Sequence, residues 1–215
     1  MKQRIVILLI LEISFLISCN KDKSTNPNNN SDEVTIGTQV WMKRNLDVDH
    51  YRNGDPIPEV QDSIAWSKLT KGAWCYYNND PAIGAIYGKL YNWYAVNDSR
   101  GLAPEGWHVP SKDEWQELEN SLGGENLAGG KLKETGTVHW NSPNTGATNE
   151  KGFSALPGGC RGYYGPIGQI AYFWSSTGEE YLSLSWFRTL KNYNATFEKG
   201  FYYKERGFSV RCVKD

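Results

Sequence analysis

A helix signal at residues 106–124 constrains the fold of this chain more than any other feature of its sequence. Pro110 biases the residue before it away from the helical region, and Ser111 with Glu114 three residues later forms a capping box. Trp115, Leu118 and Leu122 follow at helical spacing and form one apolar face of the helix. Gly123 and Gly124 then end the helix. We therefore expect the elements after this helix to pack on its Trp115 face.

The rest of the chain predicts short elements joined by polar segments. Residues 34–42 predict a hairpin, and residues 162–213 predict mainly a sheet. Residues 90–96 are a second helix candidate, although their pattern alone suits a strand equally well. Residues 123–159 are polar and glycine-rich without clear periodicity, which predicts a long loop that is functional or hides short elements. The 215 residues, 39% of them hydrophobic, suffice for one domain with a sizeable core.

Several ordered segments of the chain resemble one protein family. They lie at residues 36–42, 87–94, 106–122, 129–134, 139–141, 152–159, 173–176 and 207–213, the last reading Gly-Phe-Ser-Val-Arg-Cys-Val. Together they resemble the Fibrobacter succinogenes major paralogous domain over residues 34–213. That family is itself similar to the C-type-lectin-like fold of formylglycine-generating (sulfatase-modifying) enzymes. The resemblance implies an α+β fold of that type: two short helices packed on a small, mainly antiparallel sheet, with long loops and paired first and last strands.

Residues 1–18 predict a lipoprotein signal peptide. A basic start precedes an apolar run, and residues 16–19, Leu-Ile-Ser-Cys, resemble a bacterial lipobox, with cleavage before Cys19 and lipidation of that residue. An ordinary secretory signal with an incidental cysteine is the alternative. Residues 19–33 offer nothing apolar to bury, which predicts a disordered tether. The domain proper therefore spans residues 34–215.

The same features predict a location in the bacterial cell envelope. Lys21-Asp22 loosely resembles the signals that send Bacteroidetes-type lipoproteins to the cell surface, so we expect a surface-exposed outer-membrane lipoprotein held in the membrane by its lipid anchor. A formal net charge of −1 argues against any general attraction to nucleic acid. No other stretch approaches the roughly 18 apolar residues of a membrane span.

Three cysteines follow Cys19, and three thiols form at most one disulfide. Cys75 and Cys212 lie in segments that match the family, so the resemblance implies a bridge between them. A Cys160–Cys212 bridge is the second choice, and buried thiols are the alternative. The spacings are too wide for a short metal-ligand motif.

The sequence carries no motif of a known catalytic centre. It lacks Gly-x-Ser-x-Gly, His-Glu-x-x-His and a phosphate-binding glycine loop before a helix. The formylglycine-generating relation would imply a copper oxidase, but that chemistry needs a close cysteine pair within its own motif. The C-terminal half offers only Cys160 and Cys212, without that motif. We predict that the protein is not an enzyme, with a divergent oxidase as an alternative.

Oxygen-bearing side chains in the 123–159 segment match the ligands that calcium prefers. They are Asn141, Asn144, Asn149 and Glu150. Only one of the four is charged, and loops rich in Asn, Pro and Gly form turns without any metal. We therefore expect no cofactor and keep calcium as an alternative.

Aromatic residues crowd the C-terminal half of the chain. Exposed Trp and Tyr beside Asn form a platform for sugar stacking or a hot spot for protein contact, whereas most aromatics of a small domain are core. The candidate ligand-binding residues are Trp140, Asn141, Asn144, Tyr163, Tyr164, Trp174 and Trp186. We predict a non-catalytic module that binds an extracellular glycan or protein through the 123–159 segment and these aromatics. A structural envelope component without a small ligand is the alternative.

Overall fold

The computed structural model of the chain describes residues 32–162, 165–179 and 183–215. The predicted signal peptide, the lipidation site Cys19 and most of the tether lie outside these residues, and so do Tyr163 and Tyr164. Within the described part of the chain, no helix is both long enough and apolar enough to cross a membrane.

The described residues form a mixed α+β fold of nine strands and five α-helices. The strands are β1 (Glu33–Ile36), β2 (Gln39–Met42), β3 (Trp74–Cys75), β4 (Leu90–Tyr91), β5 (Trp107–His108), β6 (Ile170–Gly178), β7 (Leu184–Lys191), β8 (Glu198–Tyr203) and β9 (Val213–Lys214). The helices are α1 (Ser63–Ser67), α2 (Pro81–Tyr87), α3 (Trp93–Val96), α4 (Lys112–Ser121) and α5 (Glu125–Leu132), and a 3₁₀ turn spans Tyr77–Asn79. The α+β prediction is confirmed, whereas the expectation of only two helices is wrong.

The strands form three small antiparallel sheets. One has the order β1-β2-β9-β5, so the first hairpin pairs with the last strand, and Trp41 lies opposite Val213. An ion pair between Lys214 Nζ and the Glu33 carboxylate, 2.9 Å apart, joins the same two ends of the domain. The other two sheets are β3-β4 and β6-β7-β8.

Helix α4 is the helix that the capping box predicts, and it organises the larger core. Ser111 Oγ accepts from the Glu114 amide, and the Glu114 carboxylate accepts from the Ser111 amide at 2.7 Å. Trp115 is fully buried, and its ring centroid lies 4.6 to 6.5 Å from those of Trp41, Phe153, Phe173 and Phe197. Burial of one such aromatic side chain contributes roughly 1.5–3 kcal/mol.

Two segments contain elements that the sequence pattern left open. Residues 90–96 contain both β4 and α3, because Asn92 between them caps the helix through a 3.0 Å bond from the Ala95 amide to its Oδ1. Residues 123–159 contain α5 near their start, so the alternative that this segment hides a short element is confirmed. This helix lacks apolar periodicity because glycines form part of its buried side. A Cβ at Gly129 would lie 2.3 Å from the carbonyl oxygen of Thr196, and one at Gly130 would lie 2.3 Å from that of Gly146.

Arg211, within the family-like segment at residues 207–213, is a buried cation. It is 1% exposed, and its guanidinium donates to Asn45 Oδ1 and to the carbonyls of Met42 and Phe153 at 2.7 to 3.2 Å. Burial lowers the pKa of Arg211 to about 9. These described partners are neutral oxygens, and through them Arg211 joins the N-terminal hairpin and the Phe153 segment to the residues just before β9.

Candidate functional site

One face of the β6-β7-β8 sheet carries exposed aromatic rings. In the register of β7 and β8, Trp186 lies opposite Phe201, and Leu184 lies opposite Tyr203. Because strand residues alternate between faces, Trp186, Phe201 and Tyr203 share one face. The ring centroids of Trp186 and Phe201 are 4.1 Å apart, and Phe201 and Tyr203 are 45% and 52% exposed.

Helix α4 covers the other end of this face. Arg188 is buried in an ion pair with Glu119 of α4, and Lys199 Nζ donates to Gln116 Oε1 at 3.0 Å. Beside the first turn of α4 there remains a groove of about 220 Å³, lined in part by Lys112, Gln116, Trp186 and Lys199. We call this groove, together with the ring of Phe201 packed on Trp186, the aromatic groove.

Polar groups surround the rings of the aromatic groove. Lys112 Nζ lies 5.6 Å from the centroid of the Trp186 ring, and Trp186 Nε1 donates to the Glu179 carboxylate at 2.9 Å. The Lys112 and Lys199 side chains are exposed. Exposed apolar rings with a few polar groups around them are typical of ligand sites.

A second, larger concavity of about 890 Å³ lies between α1, the 3₁₀ turn and the segments that carry Arg161 and Arg206. We call it the arginine cleft. Sequence reasoning missed both arginines, because an isolated arginine in a loop has no pattern to distinguish it. Phe201 was also missed, although the alternation of Lys199, Phe201 and Tyr203 on β8 is a readable signal of one exposed face.

Trp186 is the predicted binding tryptophan that the structure places in a groove. Trp140 and Trp174 are 0% exposed, and their indole N–H groups donate to the carbonyls of Ala155 and Tyr91 at 2.9 and 2.8 Å. A fully buried ring offers no face to a ligand, so the prediction of a binding role for these two residues is wrong. They are core residues.

Asn141 and Asn144 are absent from the described linings of the two concavities. Asn141 is exposed, whereas Asn144 is buried and its Nδ2 donates to two backbone carbonyls at 2.7 and 2.9 Å. Tyr163 and Tyr164 lie outside the described residues. Asn144 therefore serves to shape the turn around residues 134–144.

The predicted calcium ligands are engaged by different protein groups. Asn149 Oδ1 accepts from the Ser154 amide at 2.8 Å, and the Glu150 carboxylate pairs with Lys131 Nζ at 3.0 Å. Asn144 Oδ1 is buried with no hydrogen-bond partner among the described residues, but one oxygen does not supply the six to eight that calcium takes. The structure therefore does not assemble the predicted ligand set.

An internal cation, the ammonium of Lys133, binds this part of the chain. Its Nζ donates to the carbonyls of Thr145, Lys191 and Asn194 at 2.8, 3.0 and 2.8 Å, and lies 5.4 Å from the centroid of the Trp140 ring. The side chain is fully buried, and burial lowers the pKa of Lys133 to about 8. At pH 7 this ammonium thus ties residues 133–145 to the connection between β7 and β8.

The implied Cys75–Cys212 disulfide is not formed. Cys75 packs in a small core cluster with Trp66 and Leu90, whereas Cys212 belongs to a different cluster around Tyr91. Since Cys212 is a thiol, the alternative bridge to Cys160 is not formed either. Burial raises the pKa of both Cys75 and Cys212 to about 12, so they are protonated at neutral pH.

Comparison with known proteins places the domain in a family. The family model described as the Fibrobacter succinogenes major domain matches residues 34–214, which include α4, Lys133 and Arg211. The comparison with curated proteins found no match, and the comparison with solved structures found none. Because the matched segment covers most of the 215 residues, the chain belongs to the Fibrobacter succinogenes major domain family.

Proposed function

We propose that this protein is a non-catalytic module that binds an extracellular glycan in the aromatic groove. The observation that carries the proposal is the contact of the half-buried Trp186 ring with the exposed Phe201 ring, beside a groove with lysine and glutamine side chains. Apolar faces of sugar rings pack on such aromatic rings, and sugar hydroxyls bond to surrounding polar groups. The site that we propose is therefore on β7 and β8 instead of the 123–159 segment, whose Trp140 is core.

A non-catalytic role is supported by the side chains that line the groove. Its described lining contains no histidine or cysteine, and Ser175, its one hydroxyl residue, is 1% exposed. The thiols that an oxidase would need are not activated, because burial raises the pKa of Cys212 to about 12 and that of Cys160 to about 11. These features favour binding over a divergent oxidase.

The proposal includes a C-type-lectin-like form of the α+β fold. It is supported by the pairing of the first hairpin with the last strand, Trp41 opposite Val213, and by the Lys214–Glu33 ion pair. The two ends of the domain then lie together.

The location that we propose is the bacterial outer membrane, with Cys19 lipidated and residues 20–33 as a tether to the surface-exposed domain. The support is the lipobox and the polar composition after it. Metabolic labelling with an alkyne-bearing fatty acid, followed by protease treatment of intact cells, tests it. We expect label on the wild-type chain and none on Cys19→Ser. Label that persists in Cys19→Ser, or protection from protease, contradicts the proposed anchor or orientation.

Glycan binding is tested with the purified full chain on a glycan array and on immobilised polysaccharides. We expect retention on at least one glycan, and Trp186→Ala and Phe201→Ala each to weaken binding roughly 30-fold, the effect of removing a hot-spot aromatic. Tyr193→Ala is the matched control, because Tyr193 is 59% exposed and lies outside the groove lining.

The outcomes separate the candidate functions. Equal loss in Tyr193→Ala and Trp186→Ala would show that the groove is not the site. No retention on any sugar would refute glycan binding and leave a protein ligand or a structural envelope role.

A further inference from the structure

The arginine cleft has the size and composition of a second binding site. Its volume of about 890 Å³ lies within the range of roughly 300–1,000 Å³ typical of small-molecule sites. The lining includes Arg161 and Arg206 together with the aromatic rings of Trp66 and Tyr77. None of these residues belongs to the aromatic groove, so the cleft is separate from the site of the proposed function.

Arg161 is held in place by neutral partners. Its backbone exchanges hydrogen bonds with that of Gly207 at 2.8 and 3.1 Å, which brings the neighbouring Arg206 beside it. Its guanidinium donates to Asn79 Oδ1 at 3.2 Å and to the carbonyl of Gln61, and its Cζ lies 5.7 Å from the centroid of the Trp66 ring. These contacts orient the guanidinium, and none of them is with a carboxylate of the described residues.

Arg206 is seated against Gly162. A Cβ at Gly162 would lie 2.3 Å from Arg206 Nη1, so a larger residue at position 162 would displace this side chain. The Nε atom of Arg206 is buried and has no hydrogen-bond acceptor among the described residues. A buried donor without an acceptor costs free energy.

The charges in the cleft do not balance. Among the described residues, neither arginine lies within 4.0 Å of a carboxylate oxygen. Glu205 also lines the cleft, so two guanidinium groups and one carboxylate leave one net positive charge, in a chain whose overall charge is −1. A single excess positive charge suits a monoanionic carboxylate better than a phosphate dianion, because Glu205 repels the second negative charge.

We propose that the arginine cleft binds a carboxylate-bearing sugar, a uronic acid residue of an acidic glycan. The carboxylate lies at the guanidinium groups of Arg161 and Arg206, which present planar N–H donors in the geometry that carboxylates accept. The half-buried ring of Tyr77 offers an apolar surface to the sugar ring, and the exposed side chains of Ser63 and Asn78 reach its hydroxyls.

Isothermal titration of the purified full chain with trigalacturonate tests this proposal, with the neutral galactotriose and inorganic phosphate as comparison ligands. We expect trigalacturonate to bind about tenfold or more tightly than either comparison ligand, and its affinity to fall as sodium chloride is raised. Arg206→Gln weakens trigalacturonate binding about tenfold or more. Arg44→Gln, which removes a guanidinium whose side chain is 84% exposed elsewhere, leaves it within about twofold.

Two further variants keep the test decisive. Glu205→Gln removes the opposing carboxylate without touching either arginine, and we expect a several-fold gain in affinity for trigalacturonate even if Arg206→Gln does not fold. We expect Trp186→Ala to leave the affinity for trigalacturonate unchanged. A negative result for the arginine cleft is therefore distinct from a negative result for glycan binding in the aromatic groove. The proposal is overturned if trigalacturonate does not bind, or if galactotriose or phosphate binds equally well. It is also overturned if Glu205→Gln leaves the affinity for trigalacturonate unchanged.

Discussion

Replacing Lys133 by methionine tests whether a buried ammonium holds the segments around it. In the wild-type protein Lys133 Nζ donates to three carbonyl groups, those of Thr145, Lys191 and Asn194, at 2.8 to 3.0 Å. Methionine has a similar length and no donor, so Lys133→Met removes all three hydrogen bonds while filling much of the same space. The three carbonyl oxygens are then left in a dry environment.

The expected loss of folding stability in Lys133→Met follows from two opposing contributions. Each buried acceptor left without a donor costs roughly 1–3 kcal/mol, which gives about 3–9 kcal/mol for three carbonyls. The variant is also relieved of burying a charge, which offsets several kcal/mol of that loss. We expect a net decrease of about 3 kcal/mol in the free energy of unfolding, a large share of the 5–15 kcal/mol typical of a domain.

Urea denaturation at pH 7 measures the effect, since a pKa of about 8 leaves Lys133 mostly protonated there. With an m value of about 2 kcal/mol per molar, the midpoint should fall by about 1.5 M. Lys131→Met is the matched control: Lys131 lies in the last turn of α5, two residues before Lys133, but its side chain is 30% exposed and pairs with Glu150, so the substitution should cost at most about 1 kcal/mol. A Lys133→Met midpoint equal to that of the control would refute the reasoning.

Two further predictions concern ion pairs of α4. Burial lowers the pKa of His108, but its bonds to Glu114 (2.6 Å) and Asp215 (2.7 Å) outweigh burial and raise that pKa above its ordinary value. The stabilisation is therefore complete below about pH 6.5, the unfolded value, and is lost as pH rises through the folded pKa. Thermal melts should show His108→Gln further below wild type at pH 5.5 than at pH 8.5, and an equal gap at both contradicts this. Arg188→Met leaves the Glu119 carboxylate buried and unpaired, so urea melts should show a loss of about 3–5 kcal/mol, most of it recovered when Glu119→Leu is added. A double variant no more stable than Arg188→Met refutes that account.

Local signals in the sequence explain what could be predicted about the fold. Helix α4 was predictable because its capping box and apolar face lie within about three turns of one segment. Helix α5 was not predictable, because Gly129 and Gly130 on its buried side pack closely against neighbouring backbone. Such contacts leave no periodic pattern of apolar residues in the sequence. The disulfide implied for Cys75 and Cys212 does not form, because the two residues belong to different core clusters. Which cluster a cysteine joins also depends on contacts between distant segments.

The candidate sites depend more strongly on tertiary structure. Trp140, Trp174 and Trp186 are equivalent as residue types, yet two are fully buried and the third lines a groove. Arg161 and Arg206 meet in one cleft only because the backbone of Arg161 pairs with that of Gly207.

The sequence by itself determined the family, the α+β class and the central helix, because these depend on residue order and on interactions within a few turns. Only the tertiary structure decided which aromatic rings face solvent and which cations lack counter-ions. The physical reason is that burial and charge balance depend on groups far apart in the chain, such as Lys133 and Asn194, that become neighbours only after folding.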